Sequence, residues 1–183
     1  GSGLHPQLVA YDLEVAGWIG QRERQRRRLA SVRIAALQRA AGAAGCALPD
    51  DTKVVFETGS TNAVLHAAPA PAPEAPRLLF AELQTAGRGR RGREWIAPFG
   101  SGLTFSIAWS FAEWPTDLPA LGLALGVCVV DALRDLGALG VELKWPNDIV
   151  HRHAKLGGLL LQMRSEAGGP ACVVAGLGLN LDL

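Results

Sequence analysis

Strand-like segments follow one another in this chain, several of them with no helix between, and this order restricts the fold more than any other feature. In the clearest segment, 103–109, apolar residues alternate with polar or small ones, which is typical of a half-buried strand. Further strands are predicted at 53–57, 77–83, 141–144, 156–163 and 171–181. A simple parallel sheet would need a crossover after every strand. The sequence therefore predicts an α/β (α+β) fold with a mixed, largely antiparallel sheet flanked by helices.

Helices and loops make up the remaining segments. Helices are predicted at 22–44, from Ser60 or Thr61 to about residue 67, and at 118–136, where Gly137 ends the apolar pattern. Loops are predicted at the proline-rich segment 69–76, the Gly/Arg-rich segment 85–102, the polar segment 145–155 and the turn 168–170. We expect a partly helical N-terminal extension, 1–50, to which no motif gives a function, and a folded domain, 51–183.

Composition excludes several classes of protein. Hydrophobic residues make up 49% and charged residues 19% of the 183, which rules out a wholly disordered chain. No apolar run reaches the ~18 residues of a membrane helix. Three cysteines without C-x-x-C spacing indicate neither a disulfide framework nor a zinc site. We therefore expect a cytoplasmic protein with no membrane partner.

Positive charge is concentrated, although the net charge is only +1. Nine of the eighteen basic residues lie in two short stretches, 22–28 and 88–93. We interpret the first stretch as a solvated helix face, so DNA is not an expected partner.

The segment 87–95, GRGRRGREW, contains the second stretch and carries the strongest chemical pattern. Its glycines let the backbone approach a ligand, its N–H groups can cradle an anion, and its four guanidiniums can bind phosphate or carboxylate. Trp95 offers a flat face for a base. Composition alone leaves a small-molecule phosphate site and a basic loop, solvated or bound to nucleic acid, equally open.

Two lysine-containing segments follow in the second half of the chain. In 144–148, KWPND, a lysine at a strand end precedes an amide and a carboxylate, which suits a nucleotide site but is also ordinary turn composition. In 155–158, KLGG, a lysine stands at the mouth of an apolar strand, where the glycines could equally serve close strand packing. The segments 58–62, TGSTN, and 176–180, GLGLN, are weaker candidates, and the first is also an ordinary helix cap.

Taken in order, these segments resemble the catalytic domain of bacterial biotin–protein ligases over roughly residues 54–183. The matching segments are 57–62, 81–93, Trp95, 98–100, 144–148, 155–158 and 176–180. The resemblance implies a fold similar to class II aminoacyl-tRNA synthetase and biotin–lipoate ligase cores, with 51–183 as the catalytic domain. It implies a biotin–[acetyl-CoA-carboxylase] ligase that makes biotinyl-5′-AMP from biotin and ATP. A lysine of a biotin carboxyl carrier protein, a subunit of acetyl-CoA carboxylase, would then take the biotin.

The resemblance also implies roles for individual residues. Biotin would be bound by Ser60, Thr61, Asn62, Gln84, Arg88, Gly89, Arg90, Lys155, Gly157 and Gly178. ATP would be bound by Arg88, Arg90, Arg91, Trp95, Lys144, Asn147 and Asn180, and Mg²⁺ by Asp148. Lys155, Arg90 and Lys144 would be catalytic, because a carboxylate that attacks an α-phosphate brings two anions together.

The C-terminus departs from the family pattern. Members of the family continue beyond the Gly-x-Gly-x-Asn strand with further helices and a small β-barrel, whereas this sequence stops three residues after Asn180. We therefore expect a C-terminally incomplete domain whose exposed apolar surface could support a homodimer. A non-catalytic biotin-binding regulator and an inactive truncated fragment stay open as alternatives.

Overall fold

The computed structural model describes residues 34–112, 117–165 and 171–181. The strands are β1 (Asp51–Thr58), β2 (Arg77–Gln84), β3 (Gly102–Phe111), β4 (Val141–Lys144), β5 (Asp148–His151), β6 (Ala154–Ser165) and β7 (Ala171–Asn180). The helices are α1 (34–43), α2 (Thr61–Ala67) and α3 (Leu118–Asp135).

All seven strands form one sheet in the order β1-β2-β3-β7-β6-β5-β4. Only β1 and β2 pair in parallel, and α2 is the crossover between them. The other neighbours are antiparallel. The prediction of a mixed, largely antiparallel sheet flanked by helices is therefore confirmed.

Helices α2 and α3 cover opposite faces of this sheet. Along β7, Cys172 and Val174 pack with α2, whereas Leu177 and Leu179 pack with α3. This division follows from the strand geometry, since successive side chains point to opposite faces. Nearly every residue of β7 is buried, so this central strand contributes to both cores.

The structure reproduces most predicted elements and corrects one. The polar segment 145–155 is not only a loop, because it contains the four-residue strand β5. Ile149 of β5 is completely buried, but a strand this short shows no periodicity in the sequence. The predicted helix over 22–44 is described only from residue 34, and the predicted turn at 168–170 lies outside the described residues.

Helix α3 lies close to β4 at Gly126. A Cβ added there would lie 2.7 Å and 2.8 Å from the two Cδ atoms of Leu143. Gly122, one turn earlier, has only ordinary contacts, with Leu161 at 3.9 Å. None of the helices in the described ranges has the length and apolar composition that a membrane span requires.

We predict different effects of the same substitution at these two glycines. Gly122→Ala should raise the free energy of unfolding by about 0.5–1 kcal/mol, which is the helix-propensity difference. Gly126→Ala should bring little or none of this gain, because the new methyl group must displace the Cδ groups of Leu143 and that repacking offsets the propensity difference. Urea unfolding of both variants measures the difference, and equal effects would contradict the close approach of α3 to β4.

Candidate active site

A cavity of about 360 Å³ opens on the face of the sheet that carries α2. Thirteen of the residues that the sequence analysis selected line it, namely Ser60, Thr61, Asn62, Gln84, Arg88, Gly89, Arg90, Arg91, Trp95, Asn147, Asp148, Lys155 and Gly178. The structure thus brings together segments that are as far apart in the chain as 60–62 and 176–178.

The deep end of the cavity is a hydrogen-bonded cluster of buried polar groups. Thr61 donates its backbone N–H (2.7 Å) and its hydroxyl (3.1 Å) to Oε1 of Gln84. Because the single hydroxyl hydrogen of Thr61 is used in this way, its Oγ1 accepts from the hydroxyl of Ser106 at 2.7 Å. Oε1 of Gln84 thus has two donors, so the NH₂ end of this amide is the one left for a ligand.

Asn62 forms the wall next to this cluster. Its Nδ2 donates to Oε1 of Gln162 (2.9 Å) and to the carbonyl of Leu160 (3.3 Å). Its Oδ1 is buried and has no partner among the described residues. The amide approaches β7 at Gly176, where a Cβ would lie 2.6 Å from Oδ1. Any residue larger than glycine at 176 would displace Asn62.

The segment 87–95 lies within the predicted Gly/Arg-rich loop and closes on itself as a hairpin, with an isolated bridge between Arg88 and Glu94. The backbone N–H of Trp95 donates to the carbonyl of Gly87 (3.0 Å), and the backbone N–H of Gly89 donates to the carbonyl of Arg93 (2.7 Å). At the tip, Arg91 has φ 57°, in the left-handed region that favours glycine. The hairpin presents its arginines as exposed side chains at the cavity mouth.

The indole of Trp95 lies inside the cavity, against β7 at Gly178. A Cβ at Gly178 would stand 2.6 Å from Cζ2 and 2.7 Å from Nε1 of this ring. The ammonium of Lys155 is 5.8 Å from the ring centroid, within cation–π range. Nε1 of Trp95 is buried and has no acceptor among the described residues.

The turn between β4 and β5 forms the opposite wall. Asn147 donates its Nδ2 to the carbonyl of Leu159 (2.7 Å) and accepts from Arg90 at 3.4 Å, which links the turn to the hairpin. Nζ of Lys155 and Oδ1 of Asp148 form an ion pair of 2.7 Å, with side chains 49% and 32% exposed. An anionic ligand would compete with Asp148 for this ammonium.

Three residues selected from the sequence do not line the cavity. Lys144 is exposed at the end of β4. Gly157 packs against β7, where a Cβ would meet the carbonyl of Gly178 at 2.5 Å, whereas Gly158 lines the cavity in its place. Asn180 follows Gly178 on β7, and its Oδ1 is buried with no partner among the described residues.

Three residues of β3 that line the cavity, Thr104, Phe105 and Ser106, were not predicted from the sequence, and two of them are polar. The alternation in this strand predicts one buried and one exposed face, yet no residue of β3 is exposed. The small and polar face is the more buried one and lies towards α2, while Leu103 and Phe105 pack on the α3 side. Small polar residues at every second position of this strand could have indicated that one of its faces borders a polar site.

The described residues contain no cluster of three or more His, Cys, Asp or Glu that could hold a metal. Asp148, for which Mg²⁺ binding is predicted, offers one carboxylate that Lys155 already contacts. Magnesium sites at nucleotides commonly use one or two carboxylates together with substrate phosphates. The carboxylate of Asp148 is a ligand of this kind, and the amide oxygen of Asn147 is a further oxygen atom on the same turn.

Comparisons with known proteins agree with this geometry. The family model for the biotin/lipoate A/B protein ligase family matches residues 56–180. The bifunctional ligase/repressor BirA of Escherichia coli is 43% identical over 104 residues, which are 57% of this chain and 32% of that protein. The biotin–[acetyl-CoA-carboxylase] ligase of Mycobacterium tuberculosis is 41% identical over 133 residues, which are 70% of this chain and 48% of that protein.

A solved structure is similar as well. The biotin protein ligase from Aquifex aeolicus, in complex with biotin and ATP, superposes with a TM-score of 0.61 at 29% identity. The match covers 73% of this chain and 53% of that one. The chain therefore spans about a third to a half of the length of the relatives that it matches.

The contact between Trp95 and Gly178 gives a prediction for stability. Gly178→Ala should expel the indole from its place on β7 and lower the free energy of unfolding by about 1–3 kcal/mol. Gly158→Ala is the matched control, since its Cβ would have contacts of 3.4–3.6 Å. Chemical unfolding of both variants tests this. A Gly178→Ala variant as stable as the control would mean that Trp95 does not occupy this position.

Proposed function

The chain belongs to the biotin/lipoate A/B protein ligase family, and on that premise we propose that it is the catalytic part of a biotin–protein ligase. Residues 51–183 would form the catalytic domain. One observation carries the proposal: a single cavity joins a buried polar end, at Thr61 and Gln84, to a cationic mouth, at Arg90 and Lys155. Biotin has matching parts, a polar ureido ring at one end and a carboxylate at the other.

In the first step, a carboxylate oxygen of biotin attacks the α-phosphorus of ATP. The bond from that phosphorus to the β-phosphate oxygen breaks, and pyrophosphate leaves with the electron pair. In the second step, a neutral lysine amine of the carrier attacks the acyl carbon, the bond to AMP breaks, and the amine loses a proton. The products are an amide and AMP.

The residues of the deep end would hold the ureido ring. Gln84 has its NH₂ group free to donate to the ring carbonyl, because both hydrogen bonds of Thr61 fix its Oε1. Ser60 caps α2 through the N–H of Ala63 and keeps this end in place. Asn62, with its unpartnered Oδ1, would accept from a ring N–H after a small shift. Gly89 would let the ligand approach the backbone, and Gly178 would act indirectly, by admitting the ring of Trp95 that packs on the ligand.

The cations would offset the charge of the reacting groups. The ammonium of Lys155 would leave Asp148 and pair with the carboxylate of biotin. During the reaction it would stabilise the negative charge on the oxygen between the acyl carbon and the α-phosphorus. Arg88 and Arg90 would hold the phosphates from the hairpin side, with Arg91 at the tip. Lys144, Asn147 and Asn180 would complete the nucleotide site at its edges, and Trp95 would pack on the adenine.

Mg²⁺, when bound, would neutralise phosphate charge, and Asp148 together with phosphate oxygens would hold it. The carrier would be a biotin carboxyl carrier domain of acetyl-CoA carboxylase. A cytoplasmic location is supported by the three cysteines, all of which are free thiols. Exposed apolar side chains on α3, Leu123 and Val127, leave a homodimer as an expectation.

Biotin-dependent exchange of label between pyrophosphate and ATP tests the proposed function directly. An enzyme that forms the adenylate reversibly returns label to ATP only when biotin is present. A non-catalytic biotin-binding regulator or an inactive fragment would bind biotin without exchange. Exchange that does not depend on biotin would also contradict the proposal.

Lys155→Ala should reduce this exchange by about 10²–10³, the usual effect of removing one preorganised donor to developing charge. Stability should change by no more than about 0.5–1 kcal/mol, because the ion pair with Asp148 is partly exposed. The matched control is Lys53→Ala, which breaks a similar ion pair with Asp51 (3.1 Å) away from the cavity. A Lys155→Ala variant that melts early but exchanges normally per folded molecule would show a structural lysine.

A further inference from the structure

Trp145 is the largest apolar side chain left exposed at the mouth of the cavity. It is 77% exposed, at the turn between β4 and β5. Tryptophan usually buries most of its surface, so an indole held in water needs an explanation. The proposed chemistry does not use this residue.

The turn that carries Trp145 is firmly anchored. Nδ2 of Asn147, two residues later, donates to the carbonyl of Leu159 at 2.7 Å. The backbone N–H of Leu159 donates to the carbonyl of Asn147 at 2.9 Å. Arg90 adds a bond from the facing hairpin. The turn from which the indole extends is therefore held in place, so less backbone entropy is lost when a partner binds.

Trp95 provides the contrast within the same cavity. Its ring lies against β7 at Gly178, and its Nε1 is buried. A wall that sequesters an adenylate from water has to be enclosed in this way. Trp145, in contrast, borders the same cavity but leaves 77% of its surface exposed, where a macromolecule can reach it.

We propose that Trp145 is an anchor for the protein that delivers the acceptor lysine, the carrier domain of the second step. This inference rests on the proposed function, because only a group transfer to a protein requires a macromolecule at this mouth. Tryptophan is enriched among the residues that dominate protein–protein binding. An exposed indole on an anchored turn beside the entrance is suited to hold the carrier while its lysine reaches inside.

The charge around the mouth indicates which surface the carrier presents. The hairpin opposite Trp145 carries Arg88, Arg90, Arg91 and Arg93, all exposed, against one exposed acid, Glu94. A complementary partner has an apolar patch for the indole and acidic residues around it. Raised salt should therefore slow the docking of this partner.

The experiment separates the two steps in the 183-residue chain. Wild type, Trp145→Ala and Leu139→Ala are compared for pyrophosphate exchange, for transfer to an unbiotinylated biotin carboxyl carrier domain, and for transfer to hydroxylamine. Leu139 is the matched control, since it is 78% exposed and precedes β4 at the end away from the cavity. Calorimetry measures the carrier Kd of each protein directly, so docking is tested even without turnover.

We expect Trp145→Ala to lower the ratio of carrier transfer to exchange by at least about tenfold and to weaken the carrier Kd similarly. The ratio of hydroxylamine transfer to exchange should not change, and Leu139→Ala should behave like wild type. If Trp145→Ala instead weakens exchange and both transfers equally, the indole serves the nucleotide and the inference is wrong. An unchanged carrier Kd would also overturn the inference. So would a Trp145→Ala variant that only loses the ability to associate with a second copy of the chain. If the wild-type protein shows no exchange but still binds the carrier, and this binding is weakened by Trp145→Ala, only the proposed function is contradicted.

Discussion

The site depends on two positions of β7 that have no side chain. At Gly176 the strand admits the amide of Asn62, and at Gly178 it admits the ring of Trp95. These contacts dock α2 and the 87–95 hairpin against the same central strand, which is hydrogen-bonded on both sides and almost fully buried. Because β7 cannot move without disrupting both cores, the two walls of the cavity are fixed relative to each other. A methyl group at either glycine would push one wall outwards.

Charge at the mouth is arranged differently from charge elsewhere in the described structure. Away from the site, Arg77 and Lys53 share the carboxylate of Asp51, and Arg134 pairs with Asp131. Among the described residues, Lys155 is the one cation of the cavity with a carboxylate partner, and Arg90 contacts a neutral amide. Partly exposed pairs of this kind contribute little to stability. The cations are therefore available for anionic ligands at small cost to the fold.

Much of the fold could be predicted from the sequence, and the failures have physical causes. Long elements with a clear period, such as α3 and β6, were located to within a few residues, because their burial pattern repeats several times. β5 was missed since it has four residues between two polar turns, and its burial comes from neighbours that are distant in sequence. The segment 87–95 was predicted as a loop, but its closure into a hairpin was not, because the approach of Gly87 to Trp95 is not encoded in composition. For the site, motif residues predicted most of the lining. Ser106 was not selected because the alternation in β3 predicts a half-buried strand without indicating which face borders a ligand. Gly157 was selected where Gly158 lines the cavity.

The central claim is that one cavity makes biotinyl-5′-AMP and retains it. The most direct measurement incubates the protein with biotin and ATP labelled at the α-phosphate, removes free nucleotide by gel filtration, and analyses the label that stays with the protein. The account predicts about one labelled biotinyl-5′-AMP per folded chain, formed only with biotin and discharged by a carrier domain. Label that stays bound as ATP, or label released as AMP without any retained adenylate, would contradict it.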